Sequence, residues 1–251
     1  LSFQFFLKLK FIGFVSLGNK PGFIMETLDH KVIVYDDACP MCQAYTAGFV
    51  KAGWLKERKG FGSVSPELLA KIDFDRARHE IPLLDTKTGE VTYGLNALFL
   101  IIGERMPIFK PLFRSRWFRP LLYPLYQIIT YNRRIIAGSG APKTGCDCAP
   151  DVNLFYRWLY ISLAVVGASL LSYPFVANAG YAGNVFILMH LFILLGLIFV
   201  PKRLDFVGHW ATVFLATSML LRVLPGGEWI QAGLAGGLVV WMWWKRWDKV
   251  W

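Results

Sequence analysis

Two thiols three residues apart, Cys39 and Cys42, follow an acidic pair, Asp36 and Asp37, at the end of the apolar run in KVIVYDDACPMCQ. Thiols one helical turn apart can close a disulfide, exchange with a disulfide elsewhere, or supply half of a tetrahedral metal site. Inert core thiols are the remaining reading. A strand followed by a helix start favours the redox pair: Cys39 then faces unpaired N–H groups and the positive end of the helix dipole, which stabilise a thiolate. Two carboxylates beside that thiol act the other way, raising its pKa, although one of them can accept a proton.

A second pair, Cys146 and Cys148, lies in GSGAPKTGCDCAP. It can relay electrons by exchange with Cys39 and Cys42 across a flexible Gly/Ser/Pro linker. Alternatively, Cys39, Cys42, Cys146 and Cys148 together complete a four-thiolate zinc site. These four are all the cysteines of the chain, so electrons entering the membrane beyond Cys148 would need a quinone or another cofactor. His190, near the middle of a hydrophobic segment, is the candidate quinone contact, with packing or an interhelical hydrogen bond as its ordinary role. His190 and His209 differ in depth by roughly 10 Å at 1.5 Å per residue, which does not suit two axial ligands of one haem.

The elements that must hold the first pair read as an α/β domain. Val32–Tyr35 is a short buried strand, Gln43–Glu57 a helix, and Phe61–Val64 a second strand. Ser65 caps a helix opened by Pro66, and Phe74–His79 is a charged helical turn. Glu80–Asp85, with Pro82 near its start, and Glu90–Gly94 form a hairpin around Thr86–Gly89. Leu95–Arg105 closes the domain as a helix. Strand–helix, strand, helix, hairpin, helix is a thioredoxin-like order.

Asp36-x-x-Cys39-x-x-Cys42 after a hydrophobic strand resembles the signature of the DCC family of predicted thiol–disulfide oxidoreductases, and EIPLLDTKTGEVTYG and ITYNRRIIAG resemble its continuation, so the likeness spans about Val32 to Gly138. The resemblance implies a thioredoxin-like fold in which Cys39 and Cys42 are catalytic. It also implies that Pro82, commonly cis at such a position, faces the thiols and leaves a backbone edge free for substrate. Asp37 stands where the family usually has glycine.

With 55% hydrophobic residues and ten tryptophans, the chain is an integral membrane protein, its apolar excess lying after Asn153. The expected spans are Leu154–Phe175, Tyr181–Val200, Phe206–Leu224 and Trp229–Trp244, long enough for a hydrocarbon core of roughly 30 Å. Basic residues flank alternate connections (Lys143 and Arg157, Lys202 and Arg203, Lys245 to Lys249), which puts both termini and all four cysteines on the cytoplasmic side of a bacterial inner membrane. Between head and spans, Met106–Ile136 interleaves aromatics with arginines and reads as short helices at the headgroup level, or as packing on the head. Asn132-Arg133-Arg134 is a weak candidate for lipid phosphate.

The expected organisation is an amphipathic or upstream stretch over 1–30, a thioredoxin-like domain over 31–105, interfacial helices over 106–137, the CxC linker over 138–153 and a four-helix transmembrane bundle over 154–251. The net charge of +10 fits cationic flanks on anionic lipid headgroups, and no groove-reading motif points to nucleic acid. The activity read from this is thiol–disulfide exchange with a protein partner, needing no cofactor, with Asp36 orienting or accepting a proton. The competing reading is a membrane scaffold or assembly protein, part of a membrane complex, whose head is non-catalytic or zinc-bound.

Overall fold

The structure, a computed structural model, describes residues 28–139, 148 and 150–250. The N-terminal stretch read as amphipathic lies outside the described residues except for its last three positions, as does Cys146.

Lys31–Tyr35 forms β1, the central strand of a four-stranded sheet ordered β2-β1-β3-β4. Its alternation supplies two cores, as a period of two requires. Ile33 joins Leu28, Leu55, Leu83, Ala97 and Ile101 on one face, and Val34 joins Phe61, Val64, Ile72, Ala77 and Tyr93 on the other. α1 (Pro40–Lys51) crosses from β1 to β2 (Glu57–Gly60), which is parallel to β1. β3 (Pro82–Asp85) is antiparallel to β1 and β4 (Val91–Tyr93) antiparallel to β3. Two short helices, α2 (Pro66–Leu69) and α3 (Phe74–Ala77), follow β2, and α4 (Gly94–Arg105) follows β4. This is a thioredoxin-like α/β domain.

Two boundaries differ from expectation. The second strand is the polar edge sequence Glu57–Gly60, and Phe61–Ser63 is a 3-10 turn; an edge strand needs no apolar run, so hydropathy is blind to it. α1 starts at Pro40, a residue suited to a first turn, and ends before Gly53, whose φ of 68° breaks the helix.

After α5 (Lys110–Arg114), the bridge is one 20-residue helix, α6 (Phe118–Ala137), rather than a series of short ones. One face of α6 is buried, including Gln127, Ile128, Thr130, Asn132, Arg133 and Ile135, while Leu121, Leu125 and Ile129 are exposed. The segment packs on the head, as one of the two expectations had it, and also presents an apolar outer face. Gly138 ends it with φ 66°, a left-handed cap where side chains are disfavoured.

Beyond the linker come α7 (Leu154–Asn178), α8 (Gly180–Leu194, extended by a 3-10 turn to Ile198), α9 (Arg203–Val223) and α10 (Glu228–Val250). Among the described residues, the first three are long and apolar enough to cross a bilayer, which makes this a multi-pass membrane protein with a separate α/β head. The expected fourth span over Trp229–Trp244 is corrected by that finding. α10 is a 23-residue helix, but Gln231, three glycines and the tryptophans dilute its apolar character. α9 is the central helix, packed on α7, α8 and α10.

Candidate functional site

Cys39 is the N-cap of α1. The turn that delivers it is built by Asp36, whose Oδ1 accepts from the Ala38 N–H at 3.0 Å and whose carbonyl accepts from the Cys39 N–H at 3.1 Å. Cys39 Sγ accepts from the Cys42 backbone N–H at 3.4 Å. The two thiols are thus closely spaced at a helix start, with no disulfide between them.

The electrostatics separate the two. A hydrogen bond from the Cys42 thiol, helped by the Cys42 N–H and the Arg133 guanidinium and opposed by burial and Asp36, brings the Cys39 pKa down to about 7. The same thiol hydrogen bond, with burial, pushes Cys42 far up. Of the two thiols, Cys39 is the one drawn toward the thiolate and Cys42 the one held protonated.

Arg133 comes from α6, 97 residues after Asp36 in the chain, and its Nη2 donates to Asp36 Oδ2 at 3.0 Å. The same Nη2 donates to the Cys148 carbonyl. Arg133 is buried with Asp36, so the sequence's weak candidate for a lipid contact belongs to the thiol site. Reading the sequence missed this role because Arg133 sits among six other cations between Lys110 and Lys143; the sign that could have found it is its place on the narrow polar strip of an amphipathic helix.

Asp37 behaves unlike its neighbour. Its Oδ2 accepts from the Gly62 N–H at 2.9 Å, and its carbonyl accepts from the Gln43 amide. A Cβ at Gly60 would fall 1.5 Å from Asp37 Oδ1. The carboxylate thus ties the loop after β2 to the thiol turn. Asp36 does push the Cys39 pKa up, as the sequence leads one to expect, but the lowering by Cys42 and Arg133 outweighs it.

Pro82 lines a small cleft with Asp36, Cys42, Tyr45, Phe61 and Arg133, so the structure brings it to the thiols. Its peptide bond is trans. The backbone edge expected to stay free for a substrate is taken: the Ile81 N–H donates to the Tyr126 hydroxyl of α6 at 3.3 Å, and the Ile81 carbonyl accepts from the Gly94 N–H at 2.9 Å.

Cys148 packs into the core cluster of Val34, Phe61, Val64 and Tyr93, which brings the end of the CxC linker to the thiol side of the head. Cys39 is 2% and Cys42 4% exposed, more covered than an exchanging thiol requires. Among the described residues no three His, Cys, Asp or Glu side chains gather as a metal would need. His190 is remote from all this, enclosed by Phe186, Trp210 and Phe214, with Nε2 3.2 Å from the Thr217 hydroxyl.

No protein-family model, curated protein or solved structure matches the chain, so the thiol site rests on its own geometry.

Proposed function

We propose that the protein is a membrane-anchored thiol–disulfide oxidoreductase of the kind represented by the DCC family, with its head on the cytoplasmic side of a bacterial inner membrane. The observation that carries the reading is the geometry of the pair: Cys39 caps α1 and its Sγ accepts from the Cys42 N–H at 3.4 Å, an arrangement that draws the Cys39 thiol toward the thiolate and holds Cys42 protonated. The Cys39 thiolate attacks a partner disulfide, forming a mixed disulfide and releasing one partner thiolate. Cys42, giving its proton to Asp36 or to water, attacks Cys39 Sγ and releases the second partner thiolate. Two electrons pass to the partner, its two sulfurs take up two protons, and the head is left oxidised.

Cys146 and Cys148 are the proposed relay from the head to a second partner. As a disulfide they take two electrons from the Cys39–Cys42 dithiol by exchange, and as a dithiol they pass them on to that partner's disulfide. The seat of Cys148 on the head core supports a route within the chain. In a reducing compartment the dithiol is the resting state.

The burial of both thiols favours a second reading, a scaffold whose head binds a partner without exchange. Trapping with Cys42→Ser separates the two. A mixed disulfide through Cys39 to a defined protein is the expected result; a Cys39 that stays untrapped while the wild-type pair oxidises and reduces reversibly overturns it in favour of the scaffold.

A further inference from the structure

The head-side end of the helical bundle gathers positive charge that the thiol chemistry does not use. Arg157 stands in the first turn of α7 and Arg246 near the end of α10, only 5% and 6% exposed. Asp205, in the first turn of α9, lies 3.5 Å from Arg157 Nη2. Arg246 meets no carboxylate among the described residues. It donates instead through Nη2 to the Ile136 carbonyl at 3.1 Å and through Nη1 to the Met242 carbonyl at 3.4 Å.

Two buried guanidiniums facing one carboxylate leave a positive charge out of water, which is costly unless another anion is present. Polar atoms are left over as well. Nε and Nη1 of Arg157, Nε of Arg246 and Nδ1 of His209, itself 3% exposed, have no hydrogen-bond partner among the described residues. Both guanidiniums lie within Coulombic reach of Tyr160 and His209, so these groups form one cluster. Tyr160 is already paired with Thr212 at 2.7 Å.

The position of the cluster narrows what would complete it. α7 and α9 begin here, α10 ends here, and α6 stops at Gly138, where an added Cβ would fall 2.8 Å from Arg246 Cζ. This is the end of the bundle rather than its middle, the level at which lipid phosphates lie. Guanidinium forks match the paired oxygens of a phosphate.

We propose that Arg157 and Arg246, with His209 beside them, form a binding site for a phosphate group, carried by an anionic phospholipid or present as free inorganic phosphate.

The test uses the full chain in maltoside micelles, which contain no phosphate. Thermal unfolding is followed on addition of phosphatidylglycerol, of diacylglycerol with the same tails, of sodium phosphate, or of sodium chloride at matched ionic strength. Phosphatidylglycerol is expected to raise the midpoint while diacylglycerol and chloride do not. An equal rise with sodium phosphate identifies the free ion, and no rise with it identifies the lipid.

Arg246→Met, which removes the charge while keeping volume, is expected to weaken the effective affinity by about tenfold, the loss of one charge-assisted contact. The exposed pair Lys202→Gln and Arg203→Gln is expected to leave it unchanged. The proposal is overturned if neither phosphate source stabilises the protein, if diacylglycerol or chloride does so equally, if Arg246→Met responds like the wild type, or if the exposed pair alone abolishes the response. Should Arg246→Met fail to fold, Arg157→Lys supplies the same comparison, since an ammonium keeps the charge and loses the fork.

Discussion

Cys39 owes its acidity to groups from two distant parts of the chain, and each can be removed separately. Cys42 and the α1 N-terminus are local; Arg133 arrives on α6. Because the folded pKa lies below the ordinary thiol value of 9.0, the thiolate's contribution to the stability of the reduced fold is complete above that value and is lost as the pH falls through about 7. Alkylation of Cys39 by iodoacetamide, with Cys42 followed separately by mass spectrometry, should therefore rise with a midpoint near pH 7. Arg133→Gln should move that midpoint upward. It should also destabilise the protein by about 3 to 5 kcal/mol, since Asp36 would keep its burial and lose its countercharge, as denaturant titration would show. Arg133→Lys, which restores a cation without the fork, should recover part of the midpoint shift.

The elements that hold these residues differ in how openly the sequence announces them. β1 and the start of α1 were legible from KVIVYDDACPMCQ because an apolar run breaks off at an acidic turn just before the thiols. β2 was not, since ERKG is polar and pairs only along its β1 side. The least legible element was the one that matters most to the site. α6 reads as arginines and aromatics for a lipid surface, yet its Tyr126 and Arg133 cap the backbone at Ile81 and the acidic turn of the head. Such contacts are invisible to periodicity, because they depend on which face of an amphipathic helix docks. Tyr126→Phe should leave the Ile81 N–H unpaired at a cost of about 1 to 3 kcal/mol, while increasing alkylation of Cys39 as the edge loosens; parallel denaturation and labelling would check both. Gly138→Ala places a methyl group in a left-handed conformation and against Arg246, and should cost at least about 1 kcal/mol, read as a lower unfolding midpoint.

At the scale of the whole molecule, the head and the bundle share an interface. His79 of the head packs edge-on against Tyr131 of α6 at 5.4 Å, and Tyr131 stacks on Tyr156 of α7 at 5.1 Å. Arg78 pairs with Asp151, just before α7, at 2.8 Å. The composition foretold a membrane part and the motif a close thiol pair at a helix start, but nothing in either indicated that the two parts would pack on each other. Tyr131→Ala should remove a ring bonded to both parts and cost about 3 to 5 kcal/mol. It should also turn a single unfolding transition into two, seen when tryptophan fluorescence, dominated by the bundle, no longer coincides with Cys39 accessibility in the head.

Neighbouring residues on α6 are turned about 100° from each other, and Asn132 and Arg133 use that angle to hold opposite partners. Asn132 Nδ2 donates to the Tyr156 carbonyl of α7 at 3.0 Å, while Arg133 holds Asp36. The helix therefore behaves as a crank: any rotation that swings the guanidinium off the acidic turn also drags the amide away from the first membrane helix. Unlocking the sulfurs and loosening the anchor become a single movement, and strain in the lipid-facing part has a mechanical path to the reactivity of a thiol in the head.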